Sequence, residues 1–362
     1  MALTQVTSAM MEPNAQFMGF KNRIINGAMM IDQRNAGATL SLATTAAALY
    51  AVDRFQAYQD KSGVTGTVGQ STDAPAGFKN SFAVTITTGA TSGAAYQSFI
   101  QQGIEGLNVA DLAWGTASAQ PITVSFWVKS SITGTNGFSV SNSAANRVYV
   151  GSYTINSANT WEYKTVTIAG DTSGTWLTTN GFGIRIRFNI GSGSNFLGSA
   201  GSWGTSIVNG PTGAFSTTGT SGASLYITGI QLEKGSTATS FDYRPYGTEL
   251  ALCQRYCLVY SNDQDGSVRW FGFNYNTTTA LAQVYFPVQT RTRPTGITAS
   301  TASGFTLYSA GTSFSMSAVS LDNSSNKTAN VSITSSGLTQ GGGCILGFQT
   351  TGNKIEFTGM EL

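Results

Sequence analysis

Among the 362 residues there is no histidine, and that absence decides most of the chemistry on offer. A Ser-His-Asp or Cys-His nucleophile system, a zinc site with an imidazole ligand and a His general base are all excluded. The side chains left with a chemical purpose are the six tryptophans, a close pair of arginines and scattered carboxylates. Trp127 is the sharpest candidate. Ile122, Val124, Phe126 and Val128 alternate with Thr123, Ser125, Trp127 and Lys129, so a strand that turns its apolar set inward turns this indole outward. An exposed indole is a stacking platform for a sugar ring, and its N–H donates a hydrogen bond. Arg185 and Arg187 occupy the polar face of a second alternating run, Phe182 to Ile190. Their planar forks suit an acidic sugar or a phosphate, or equally a carboxylate of a neighbouring subunit. Trp176, Trp203 and Trp270 lie in or beside turn-rich segments and are secondary ligand candidates, with burial in a core or interface as the competing reading. No carboxylate pair has a sequence context that argues for glycoside hydrolysis. Calcium ligation has no EF-hand spacing to support it, so the metal question stays open, and no cofactor is implied.

The elements that must position these groups are strands. Phe82 to Thr87, Ile122 to Lys129 and Phe182 to Ile190 all repeat with period two, and further strands are expected at Arg147–Ile155, Trp161–Ile168 and Ser224–Leu232. Gly, Ser, Asn and Thr turns separate them at the spacing of a sandwich. The expected fold class is all-β: a jelly-roll β-sandwich followed by a smaller β-sandwich, with an extended N-terminal arm. The stretch from Gly191 to Gly222 is dominated by Gly, Ser, Thr and Asn but holds Phe196, Leu197, Trp203, Ile207 and Val208 as anchors. It reads as ordered surface loops, with packing on a neighbouring subunit as an expectation.

Composition sets outer limits. Charged residues make up 10% of the chain, against about 25% in an ordinary soluble protein. A formal net charge of +2 and the lack of any long basic run argue against nucleic-acid binding. The start of the chain lacks a basic region followed by an apolar one, so no secretory leader is expected, and no segment is apolar enough for membrane insertion. Cys253, Cys257 and Cys344 have no metal-type spacing and read as buried free thiols.

Residues 1–20 carry Met10, Met11, Met18 and Pro13 without strand alternation and read as a docking arm with no core of its own. Residues 21–246 are expected to form the larger jelly roll. A short linker helix follows at 247–257, with Thr248 as cap, Glu249 in its first turn and Arg255 near its end. Residues 258–362 read as a second, smaller β-domain, with strands at Ser267–Tyr275, Leu281–Val288, Phe305–Tyr308, Ala329–Ile333, Cys344–Gln349 and Lys354–Met360.

Two runs stand out. Asn22-Arg23-Ile24-Ile25-Asn26-Gly27, followed by Ile31-Asp32-Gln33-Arg34-Asn35-Ala36-Gly37, resembles an opening that recurs in tail and receptor-binding proteins of bacterial viruses. The more specific run is Ile230-Gln231-Leu232-Glu233-Lys234-Gly235-Ser236-Thr237-Ala238-Thr239-Ser240-Phe241-Asp242-Tyr243-Arg244-Pro245-Tyr246, continuing through Leu252 to Tyr256. Tyr50 to Phe55, Ser125 to Val128 and Trp161 with Thr165 to Ile168 are similar to the same group. Together these cover roughly residues 20 to 260. The resemblance implies a bacteriophage tail fibre or tail-tip protein with a carbohydrate-binding-module-like jelly roll, non-enzymatic and homotrimeric. Its implied partners are its own copies, other virion proteins through the arm, and a glycan on the host surface. Its implied location is the virion, after assembly in the host cytoplasm. A collar, connector or baseplate part without glycan binding is the first alternative, and a polysaccharide-degrading tail enzyme the second. The charges of the Glu233–Arg244 run are expected to be structural, tying the last strand of the larger domain to the linker.

Overall fold

The computed structural model describes residues 21–42, 48–91, 93–262, 268–349 and 351–362; the N-terminal arm lies outside them. The chain divides into two compact units, Met1–Tyr246 together with Leu362, and Gly247–Glu361. The described residues are strands and loops, with one α-helix, Tyr246–Gln254.

In the first unit fifteen strands follow in order among the described residues. They are β1 (Leu40–Ser41), β2 (Leu49–Val52), β3 (Phe55–Gln59), β4 (Thr65–Ser71), β5 (Ser81–Thr88), β6 (Ser98–Glu105), β7 (Ile122–Ser130), β8 (Gly134–Ser141), β9 (Val148–Ile155), β10 (Glu162–Ile168), β11 (Phe182–Asn189), β12 (Leu197–Gly198), β13 (Trp203–Gly204), β14 (Gly210–Pro211) and β15 (Ser224–Lys234). Two sheets face each other. One runs β1-β4-β5-β15-β7-β10 and carries Trp127; the other runs β13-β9-β8-β11-β6-β3-β2 and carries Arg185. All pairings within them are antiparallel. This is the all-β jelly-roll sandwich that the alternating runs call for.

The period-two pattern is the cause of the layering. Ile122, Val124, Phe126 and Val128 are wholly buried, and they meet Ile184, Ile186 and Phe188 from the opposing sheet in one core. Phe126 is its hinge point, with ring centroids 5.9 Å from Phe138, 5.1 Å from Tyr153 and 5.2 Å from Phe188. Each such side chain contributes about 1.5–3 kcal/mol by leaving water.

The segment after Asn189 is ordered, as its anchors suggest, and part of it folds back over the outer face of the Arg185 sheet. Thr218 N–H donates to Ile190 O at 2.9 Å and Phe215 N–H to Thr135 O at 2.9 Å. At Gly210 an added Cβ would fall 2.8 Å from the Asn189 Cβ, so the close approach of this loop requires glycine there.

The second unit has a three-stranded sheet of Leu258–Ser261, Lys354–Thr358 and Gly296–Ala299, and a seven-stranded sheet that includes Arg269–Asn274, Thr279–Tyr285, Thr328–Ser335 and Gly343–Phe348. Its core gathers Trp270, Phe305, Leu307, Val331, Leu346, Phe348 and Phe357. Cys253, Cys257 and Cys344 are buried and unbridged, and burial pushes the Cys344 thiol up to about 11.

Candidate functional site

On the outer face of its sheet, Trp127 forms the floor of an open groove of about 590 Å³. Strand register puts Tyr163 of β10 and Thr228 of β15 on either side of it. The Trp127 and Tyr163 rings lie 5.4 Å apart, tilted by 48°. Ser125 and Gly229 complete the floor, and Phe78 with Ala76 makes one wall. The segment from Ala238 to Tyr243 makes the opposite lip. Phe78, Phe241 and Tyr243 pack on one another with centroids 4.8–5.5 Å apart, and the Tyr243 hydroxyl donates to Gly77 O at 2.9 Å. Neither Asp nor Glu lines the groove.

Two local features produce this geometry. The pairing of β15 with β7 slips between Thr228 and Gln231, and Gly229 within that bulge has φ +60°. Glycine alone takes that conformation freely, and its missing Cβ leaves room for Phe78 and Trp127. The bulge also frees backbone groups, which the opening run Asn22 to Gly27 takes up. Ile230 N–H donates to Gly27 O at 3.0 Å, Arg23 N–H to Leu232 O at 2.9 Å, and the Asn22 amide donates to Ile230 O at 3.0 Å.

The lip is held by the run that follows. Glu233, almost fully buried, accepts from Gln231 Nε2 at 2.8 Å, Thr239 N–H at 2.9 Å and Thr239 Oγ1 at 2.7 Å. Asp242 accepts from Asn22 N–H at 3.2 Å, and Arg244 donates to Ile24 O and Asn22 O. The opening run and the Ile230–Tyr246 run therefore clasp each other, and Asp242 and Arg244 bridge them while Glu233 holds the lip.

The polar end of the same face is equally fixed. Asp73 accepts from Lys129 Nζ and, at 3.1 Å, from the Trp161 indole N–H. The Lys129 hydrogen bond outweighs burial and holds the Asp73 carboxyl below its usual range. Lys129 also lies 4.6 Å from the centroid of Tyr226.

Four of the six tryptophans spend their N–H groups within the fold, and of the two that do not, Trp270 is buried at 7% exposure while Trp127 lies in the groove. The N–H groups of Trp114, Trp161, Trp176 and Trp203 donate to Gln120 O, Asp73 Oδ1, Ser173 O and Ala169 O. Among the described residues the N–H of Trp127 has no acceptor, and neither does the Tyr163 hydroxyl a partner. A half-buried ring with a free donor beside a second ring and a free hydroxyl is the geometry for stacking on a saccharide while hydrogen bonding to it.

Two other sequence candidates are corrected. Trp270 is 7% exposed, enclosed by Tyr260 and Phe348 at 5.2 Å each, and belongs to the core of the second unit. Its alternating neighbours Phe271 and Phe273 take the solvent side instead. Trp176 packs edge-on against Trp114 at 4.6 Å and Trp203 at 5.5 Å, so its faces and its donor are used in packing. Arg185 and Arg187 do share one face, but of the opposing sheet. Phe78, Tyr163, Phe241 and Tyr243 were not singled out from sequence; Tyr163 alone carried a signal, as the polar-face residue of an alternating strand.

Among the described residues no three His, Cys, Asp or Glu side chains gather as metal ligands. No described helix is long and apolar enough to cross a membrane.

No protein-family model and no curated protein sequence matches the chain. Solved structures with overlapping regions include a bacteriophage CBA120 tailspike enzymatically active domain, at 13% identity and TM-score 0.29 over 59% of this chain. The chain spans 21% of that tailspike domain's length. The family 11 carbohydrate-binding module from Clostridium thermocellum, in complex with a β-1,3-1,4-mixed-linked tetrasaccharide, overlaps at 14% identity and TM-score 0.28, over 56% of this chain and 99% of its own. A tandem carbohydrate-binding-module domain of Xyn10C from Paenibacillus barcinonensis overlaps at 9% identity and TM-score 0.27, over 89% of this chain and 96% of its own.

Proposed function

We propose that this chain is a saccharide-binding component of a bacteriophage tail, a fibre or tail-tip protein that attaches to host-surface glycan through the Trp127 groove. The observation that carries the binding reading is the free indole N–H of Trp127 beside the half-exposed Tyr163 ring, in a groove of the size that holds a small ligand. The lining without carboxylates supports binding over hydrolysis. The tail reading is supported by the resemblance of the two clasped runs, and with it come a virion location and a docking role for the N-terminal arm.

Self-association has a separate support. On the outer face of the second unit Phe271, Phe273 and Tyr285 stand 69%, 48% and 70% exposed, with Ile345 paired to Phe271 and Leu281 to Phe273. A contiguous apolar sheet face of this kind marks a contact surface, and low net charge removes repulsion between identical copies packed about an axis. Three copies would multiply a weak single-site affinity.

The test is a screen of bacterial surface polysaccharides with the intact protein and Trp127→Ala. Saccharide capture by the parent that the variant loses supports the proposal. No capture by the parent would favour a structural virion part, and release of reducing ends would identify an enzyme.

A further inference from the structure

The face opposite the groove holds an arrangement that saccharide stacking leaves unexplained. Arg185 and Arg187 are both half-buried on β11, with Gly103 and Gln101 beside them on β6 and Ser141 and Ser139 on β8. Every one of those register partners is neutral. Arg187 lies 4.3 Å from the centroid of Phe99 and Arg185 lies 4.6 Å from that of Phe182, so each guanidinium plane is held on a ring. Arg187 donates to Gln101 Oε1 at 2.7 Å and to Asn209 Oδ1 at 3.2 Å, which fixes its orientation from the sheet and from the overlying loop. Arg185 makes no hydrogen bond and no ion pair among the described residues, and its Nε is buried without an acceptor.

A buried, unmatched guanidinium donor is costly, and a second cation on the same face makes it more so. Burial and the neighbouring Arg185 press the Arg187 guanidinium down to about 10. A buried Nε without an acceptor is shared by Arg23, but Arg23 still holds Asp111 at 2.8 Å and Arg147 holds Asp171 through two bonds of 2.7 Å, whereas Arg185 holds no carboxylate among the described residues. On β11 Arg185 keeps its whole fork uncommitted, and Arg187, oriented by Gln101 and Asn209, adds a second fixed positive charge on the same face, the combination that an oxyanion would take.

We propose that Arg185 and Arg187 form a second saccharide site, which takes the carboxylate or sulfate of an acidic sugar residue. Both chemistries present planar or tetrahedral oxygens to the same guanidinium donors, and Ser139 and Ser141 on β8, with Gln101 and its own register partner Gln56 on the other side, add neutral polar groups on that face. The inference rests on the reading of the chain as a saccharide binder, but it uses the opposite face from Trp127, so the two stand or fall separately.

The experiment is calorimetric titration of the intact protein with three tetrasaccharides: oligogalacturonate, a sulfated galactan fragment and its neutral counterpart. Arg185→Gln, Arg187→Gln, Arg185→Lys and Trp127→Ala are compared, with thermal melts to confirm that each variant folds. The expected result is a preference for one or both acidic probes over the neutral one. Each Gln variant should weaken acidic binding about tenfold or more. Arg185→Lys, which keeps the charge but loses the fork, should recover part of it. The carboxylate and sulfate arms say which oxyanion is taken. The proposal is overturned if neither acidic probe binds, or if folded Gln variants keep the parent's preference for acidic over neutral probes. Trp127→Ala is read on the neutral probe, which the Gln variants should bind as the parent does, so failure of the groove and failure of this site are told apart.

Discussion

A Cβ on Gly229 would lie 2.6 Å from the Cζ of Phe78. The wall of the groove thus occupies the space that the bulge in β15 vacates. Gly229→Ala must either shift Phe78 or unbend the bulge, and it also places a Cβ at φ +60°. We expect a loss of about 1–3 kcal/mol in stability and a weaker groove, read by denaturant unfolding and saccharide titration. Unchanged stability would contradict the bulge geometry.

Removing Glu233 tests whether the clasp is structural. The carboxylate satisfies three donors in a buried position, so Glu233→Ala leaves them unpaired and should cost about 2–4 kcal/mol. Because those donors hold the Ala238–Tyr243 lip, saccharide affinity should fall with stability. A variant that melts like the parent would refute the assignment.

Acid sensitivity should concentrate at the turn that precedes Tyr163. Burial alone would raise the Glu162 carboxyl, but Lys164 Nζ at 2.6 Å, the backbone N–H groups of Ser157 and Asn156 and the Asn156 side chain outweigh it, holding the group at about 2 against an ordinary 4.5. A depressed carboxyl stabilises the fold fully above the unfolded value and loses that contribution as pH falls through the folded one. Stability should therefore decline between about pH 4.5 and 2, and Glu162→Gln should flatten that part of the pH profile. An identical slope in parent and variant would count against it.

Self-association is tested by the solution mass from light scattering. The account expects three times the 37.9 kDa chain, and expects Phe271→Asp with Phe273→Asp to release monomers that keep a normal melt. A monomeric parent would contradict it.

The sandwich was legible because β7, β10 and β11 put polar or small residues on the side away from the core, exposed on β10 and half-buried at Trp127, Lys129, Arg185 and Arg187, so the core side writes itself as period two. β6 was not: Ser98–Glu105 is buried along its whole length, and Gln101, Gln102 and Glu105 break any apolar pattern while sitting under cover. The candidate site was legible at Trp127 for the same reason as β7. The fate of Trp270 was not legible because nothing nearby fixes the phase of its strand: Phe271 and Phe273, which stay exposed, are as apolar as the residues that go inward. Phe78, Phe241 and Tyr243 are joined by packing between segments more than 160 residues apart in sequence, and only the fold shows their meeting.

The most direct test compares saccharide capture by the parent, Trp127→Ala and Trp176→Ala on one panel of bacterial surface polysaccharides. The two substitutions remove the same side chain, one from the groove and one from the packed Trp114–Trp176–Trp203 cluster. The account predicts that Trp127→Ala loses capture with little change in melting temperature. It predicts that Trp176→Ala loses about 2 kcal/mol of stability or more yet still binds. Capture that survives Trp127→Ala at the parent's affinity would contradict the assignment of the groove as the binding site.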